Sequence, residues 1–113
     1  MEYRFLGKTG VKVSQLCFGT MSFGGDADEE TSAALYHRCR EAGINFFDCA
    51  NMYQRGMAEE ILGRLIHDER DQVVITTKAY FPMGEGVNDR GASRRHLRLA
   101  LEASLRRLQT DFV

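Results

Sequence analysis

Apolar residues recur along this chain in two rhythms, and the points where one rhythm gives way to the other mark its elements. Between Arg4 and Ser14, Gly7 and Gly10 bracket Lys8-Thr9, which predicts two short strands around a turn. Leu16-Cys-Phe-Gly19 reads as a short buried strand, and the glycine-rich stretch Thr20 to Gly25 as a loop. Helical spacing then takes over. Asp28 is placed to cap a helix, Glu29 and Glu30 suit its positive start, Leu35, Cys39 and Ala42 repeat on one face, and Gly43 ends it. Ile44 to Asp48 predicts a second strand and Asn51 to Gly56 a loop. Ile61, Leu62, Leu65 and Ile66 form the apolar face of a second helix. Val73 to Thr77 is a β-branched run of the kind found in parallel sheets covered on both sides. Tyr80 to Ala92 predicts a long loop. Ser93 caps a third helix with Leu97, Leu101, Leu105 and Leu108 along it, and Thr110 to Val113 opens a fourth strand.

The order is hairpin, then strand and helix in alternation. That alternation requires a parallel sheet with right-handed crossovers, in either a doubly wound open sheet or a (β/α)8 barrel. Periodicity does not choose between them. No repeat, linker or low-complexity tract divides the 113 residues, so one domain is expected.

Composition narrows the partners. Fifteen Lys and Arg stand against 16 Asp and Glu, which provides no electrostatic reason to expect nucleic acid or an anionic membrane. A hydrophobic share of 43% suits a globular core, and no apolar run predicts a signal peptide or a membrane span. Cys17, Cys39 and Cys49 are odd in number and lack Cys-x-x-Cys spacing, which predicts free thiols in a reducing compartment, the cytoplasm. Cys49 reads as a small buried side chain. Gly19 to Gly25 does not make a Gly-x-Gly-x-x-Gly fingerprint. Arg94-Arg95 and Arg106-Arg107 read as solvated helix faces, and His37, His67 and His96 as solvated or satisfied helical histidines.

Both architectures place active sites beyond the carboxyl ends of their strands. Asp48 ends the second strand, Tyr53 lies in the loop after it, and Lys78 ends the third. Such a trio suits proton delivery to a carbonyl that accepts hydride. A free tyrosine, with a pKa of about 10, is a sluggish acid. A neighbouring ammonium favours the phenolate and makes the hydroxyl a better donor, while an aspartate keeps that ammonium charged and in place. An ordinary salt bridge at the rim accounts for Asp48 and Lys78 equally well, and Tyr53 taken alone reads as a surface loop tyrosine.

A family resemblance shifts that balance. Gly43-Ile-Asn-Phe-Phe-Asp-Cys-Ala-Asn-Met-Tyr53 resembles an aldo-keto reductase signature, in which Gly and two or three residues precede Phe-Asp-(Thr/Ser/Cys)-Ala-x-x-Tyr. Gly56 to Gly63 is similar to that family's second-helix motif, Ile75-Thr-Thr-Lys78 to its third-strand motif, and Ser93 to Asp111 to the helix leading to the fourth strand. Arg4 to Ser14 is similar to its N-terminal hairpin, and Phe18-Gly-Thr-Met21 to the end of its first strand. The resemblance covers nearly the whole chain in the family's order. It implies a (β/α)8 TIM barrel, of which the N-terminal hairpin, three βα units and the start of strand four are present. It also implies metal-free reduction of aldehydes or ketones with NADPH. Tyr53 would be the proton donor, Lys78 its neighbour and Asp48 the lysine's partner. Thr20, Met21 and Asp48 fall where the family contacts the nicotinamide and its ribose.

The family's fourth catalytic residue, a histidine at the end of strand four, has no counterpart before Val113. Neither do the loops that hold the adenosine 2′-phosphate, so NADH is as compatible with these residues as NADPH. The 113 residues alone are therefore expected to be inactive, and to be unstable or to associate, or to be part of a longer protein. Potassium-channel β subunits resemble the chain too, including its long loop and the Arg-Gly-x-Ser-Arg run at Arg90 to Arg94. That implies the alternative of a cofactor-sensing regulatory subunit. A truncated remnant without a function of its own is a third reading. The carbonyl substrate and the oligomeric state are not legible.

Overall fold

The computed structural model describes residues 1–113. Strands β1 (Tyr3–Phe5) and β2 (Lys12–Ser14) pair antiparallel, with Tyr3 opposite Ser14 and Phe5 opposite Lys12. Gly7 and Gly10 supply the positive φ angles that close the turn, as the glycine spacing predicted. The hairpin is tied to the body by side chains. The Tyr3 hydroxyl donates to the Gly43 carbonyl at 2.8 Å, and Asn45 bridges Ser14 N and the Lys12 carbonyl.

Three further strands, β3 (Phe18–Gly19), β4 (Phe46–Asp48) and β5 (Val74–Thr76), form a parallel sheet in that order. Gly19 lies opposite Asp48, and Asp48 opposite Thr76, so the carboxyl ends are level. Helices α1 (Glu29–Glu41) and α2 (Met57–Ile66) form the crossovers, and α3 (Arg94–Leu108) follows the long loop. Phe47 and Ile75 turn toward the helix side, where they join Tyr36, Ile61, Leu62 and Ile66 in the core. Phe46, Asp48, Val74 and Thr76 turn to the other side and stay half-exposed, so helices cover one face of the sheet rather than both.

The caps form as predicted: the Asp28 carboxylate accepts from Thr31 N at 2.8 Å and the Ser93 hydroxyl from His96 N at 3.0 Å. The buried faces of two helices differ from expectation. On α1 the buried residues are Ser32, Tyr36 and Cys39, whereas Leu35 and Ala42 are exposed. On α3 the buried stripe is His96, Ala100, Ser104 and Leu108, while Leu97 and Leu101 keep 40% and 44% of their surface. A Cβ on Gly63 of α2 would lie 2.6 Å from the Arg107 carbonyl oxygen, so the two backbones touch beside the fully buried Leu108.

Two strand expectations are also corrected. Leu16 is exposed and outside β3. Thr110 to Val113 forms no strand: the Arg70 guanidinium lies 3.7 Å from the Phe112 ring and donates to the Phe112 carbonyl, and the two residues past the turn are too few to build a ladder on β5.

Candidate active site

The level carboxyl ends bring the predicted trio together. Lys78 lies just past β5, and its ammonium donates to Asp48 Oδ2 at 2.6 Å, to the Cys49 carbonyl at 2.8 Å and to the Tyr53 hydroxyl at 3.3 Å. Three N–H bonds thus have three acceptors. An ammonium cannot accept, so the Tyr53 oxygen takes the lysine's hydrogen and its own proton is left to point elsewhere. Asp48 is held in turn, because its Oδ1 accepts from the Thr76 hydroxyl at 2.8 Å. Burial alone would lower the Lys78 pKa, but its hydrogen bonds to Asp48 and Tyr53 outweigh that effect and hold it above the usual lysine range. The lysine is therefore a fixed positive charge under the phenol oxygen.

Local backbone geometry delivers Tyr53 to this point. Met52 leads into a short 3-10 turn, Tyr53–Gly56, in which Gln54 and Arg55 take left-handed φ angles of 49° and 54°, followed by Gly56 at 100°. Left-handed geometry at a non-glycine residue costs about 1–2 kcal/mol. Two such residues directly after the tyrosine are a strained segment of the kind that accompanies functional positions.

Thr20 and Met21 sit at the same rim with different exposures. The Thr20 hydroxyl and amide both point to the Asp48 carbonyl, at 3.0 and 2.9 Å, and the residue has no exposed surface. Met21 is 66% exposed. Beside Tyr53 and Lys78 lies a mostly apolar cavity of about 190 Å³, lined also by Ala50, Met52, Tyr80 and Phe81. The start of the long loop thus supplies one wall at the tyrosine and lysine. This rim fits a flat ring laid across it: Met21 offers an exposed apolar surface, and Asp48 a carboxylate already braced at both oxygens.

Cys49 is fully buried, and burial pushes its thiol up to about 11, in keeping with the inert small side chain expected there. Cys17 is exposed; partial burial and the Asp48 carboxylate raise its pKa. His96 departs from expectation. It is helical but buried, and its Nε2 has no partner; nor does Asn51 Nδ2, and both line a cavity of about 290 Å³ beside α3. The four-residue spacing of His96 with Ala100 and Ser104 was the available signal, hidden by the more apolar leucines alongside. Glu59 was also missed: it is fully buried on α2 and pairs with Arg107 at 2.6 Å.

Parallel strands joined by helical crossovers thus end level with one another and carry a braced Asp-Lys-Tyr group at their carboxyl ends. The model of the aldo/keto reductase family matches residues 15–113, and the chain belongs to that family. It is 44% identical over 117 residues to a probable voltage-gated potassium channel subunit beta of Oryza sativa, and 44% identical over 124 residues to the uncharacterized oxidoreductase YrpG of Bacillus subtilis. The whole chain aligns, but it spans only 35% and 38% of those relatives. Among solved structures it is similar to the holo form of aldo-keto reductase AKR11C1 from Bacillus halodurans, with a TM-score of 0.86 and 33% identity over all of this chain and 38% of that one. The thermostable aldo-keto reductase Tm1743, solved with the inhibitor epalrestat, gives a TM-score of 0.82 and 31% identity over all of this chain and 40% of that one.

Proposed function

We propose that the whole protein to which these residues belong reduces aldehydes or ketones to alcohols, with Tyr53 as the proton donor. The observation that carries this reading is the Lys78 ammonium, bound at once to Asp48, the Cys49 carbonyl and the Tyr53 oxygen. When bound, a nicotinamide cofactor supplies the hydride. NADPH is proposed on the family resemblance, and no residue of this chain distinguishes it from NADH. As the carbonyl carbon is reduced, negative charge builds on its oxygen, and Tyr53 delivers the proton that quenches it. Lys78 steadies the charge that forms on the tyrosine oxygen. Asp48 keeps Lys78 charged and aimed. Met21 and Asp48 would hold the nicotinamide and its ribose, and Thr20 anchors Asp48 from below. Tyr80 and Phe81 offer an apolar wall to the carbonyl substrate. Free thiols on all three cysteines suit the cytoplasm, and no helix is long and apolar enough to cross a membrane.

The test is Tyr53→Phe in the whole protein. Turnover of an aromatic aldehyde should fall on the order of 10²-fold or more, while cofactor affinity stays within about threefold, because the hydroxyl acts in the transition state and little in binding. Unchanged turnover would remove Tyr53 from the mechanism. A second reading, a cofactor-sensing regulatory subunit, is favoured by the 44% identity to probable channel β subunits of rice and Arabidopsis thaliana. Tight cofactor retention with negligible turnover of any carbonyl would select it.

A further inference from the structure

We infer that Glu59, clamped between Thr77 and Arg107, is a positioning residue that sets the distance between Lys78 and Tyr53 from behind the sheet. This rests on the reading of Asp48, Tyr53 and Lys78 as the reacting group and extends it to residues that never face the rim.

Side chains alternate at the end of β5. The Thr76 hydroxyl turns to Asp48, the Thr77 hydroxyl turns the opposite way and donates to Glu59 Oε1 at 2.6 Å, and Lys78 turns back to the site. The other Glu59 oxygen accepts from Arg107 Nε at 2.6 Å, and Arg107 also donates to Ser104 at 3.4 Å. Glu59 has no exposed surface, and the Arg107 side chain keeps 20% of its own. Two charges taken this far out of water gain little net stability over a well-packed apolar pair, so their presence is poorly explained by stability alone. Their geometry explains it better, because the clamp reaches both partners of the site. On one side it holds the residue directly before Lys78. On the other, the Arg107 side chain lies against Gly56, where a Cβ would meet Arg107 Cδ at 2.8 Å. Gly56 closes the strained turn that begins at Tyr53. One buried carboxylate therefore ties the strand end that carries the lysine to the turn that carries the tyrosine. The 3.3 Å contact between them is the looser of the hydrogen bonds Lys78 makes, and it is the one a slip of either segment would lengthen.

The experiment compares Thr77→Val and Thr77→Ser in the whole protein. Valine keeps the shape and the strand preference and leaves the Glu59–Arg107 pair in place, but it removes the hydroxyl. Serine restores the hydroxyl. Thr77→Val should lower kcat on the order of 10- to 100-fold with KM within about twofold, because displacements of an ångström or less are felt in the reacting geometry. Thr77→Ser should recover most of that loss. Glu59→Gln adds a harsher variant, and the inference does not depend on its folding. A second readout is independent of turnover: the Lys78 ammonium is titrated by NMR in the unaltered protein and in both Thr77 variants. Its pKa should fall toward the ordinary lysine value in Thr77→Val and return in Thr77→Ser. If the whole protein turns over no carbonyl, the proposed reaction fails while the titration still decides the clamp. An unmoved Lys78 titration overturns the clamp. Equal kcat losses in valine and serine variants, or a Thr77→Val kcat within twofold of the unaltered protein, overturn it also.

Discussion

Lys78 shows how few atoms are needed to give a surface-end lysine a fixed state. Half of its side chain is open to solvent, and a lysine so exposed would ordinarily sample many rotamers. Three acceptors hold its head instead. Its pKa is raised in the fold, so the stabilisation from its partners is complete below the pKa of an unfolded lysine. It is lost as pH rises through the raised, folded value. Asp48→Asn removes the strongest of those partners. In that variant Lys78 should titrate at a lower pH than in the unaltered protein, and carbonyl turnover should fall on the order of 10-fold or more, with its high-pH loss arriving earlier. NMR titration of the lysine side chain and a pH series of kcat check this together. An identical titration in both proteins would mean that the 2.6 Å contact contributes nothing to the charge of Lys78. Asp48, Tyr53 and Lys78 were legible as candidates because strand ends and the loop after them are recognisable in the sequence. Their approach to 2.6 and 3.3 Å was not, since it depends on the register of β4 with β5 and on the turn that begins at Tyr53, which join residues 25 to 30 positions apart.

Between elements, Gly63 decides how α2 meets α3. A methyl group there would meet the Arg107 carbonyl oxygen at 2.6 Å and the Leu108 backbone at 2.8 Å, and backbone cannot swing aside as a side chain does. Gly63→Ala should therefore destabilise the protein by about 1–3 kcal/mol, despite alanine's better helix propensity, and denaturant unfolding measures it. A gain in stability would show that the two helices separate freely. On α3 the leucine spacing held at Leu108, which packs at this contact, and failed at Leu97 and Leu101. Apolarity alone selects Leu97, Leu101, Leu105 and Leu108, but the face that packs carries His96, Ala100 and Ser104 together with Leu108. On α1 a different cause acts at Tyr36. Its ring packs 4.9 Å from that of Phe47, and its hydroxyl donates to Glu69, which Arg40 also binds at 2.8 Å. A partnered tyrosine is buried there while Leu35, one position away, is not.

As a body, the chain has one well-covered side and one open side. The helices bury Phe47 and Ile75, while the opposite face of the sheet stays half-exposed, and β3 and β5 are both sheet edges. Leu97, Leu99 and Leu101 add exposed apolar surface on α3. A polypeptide of these 113 residues made alone should therefore self-associate and bind hydrophobic dyes, which sedimentation and dye fluorescence would show. A monomer that unfolds cooperatively in calorimetry would contradict this.

The alternation of strand and helix, the caps at Asp28 and Ser93 and the hairpin glycines were all determined by the chain's own sequence, because each depends on residues within a few positions of one another. The tertiary structure alone decided which faces of α1 and α3 are buried. It alone decided that Thr20 lies beneath the rim with its hydroxyl on the Asp48 carbonyl, and that Glu59 and Arg107 meet behind the site. Those outcomes depend on contacts between residues far apart in the chain, where the close approach of two backbones and the need to pair a buried charge outweigh local preference.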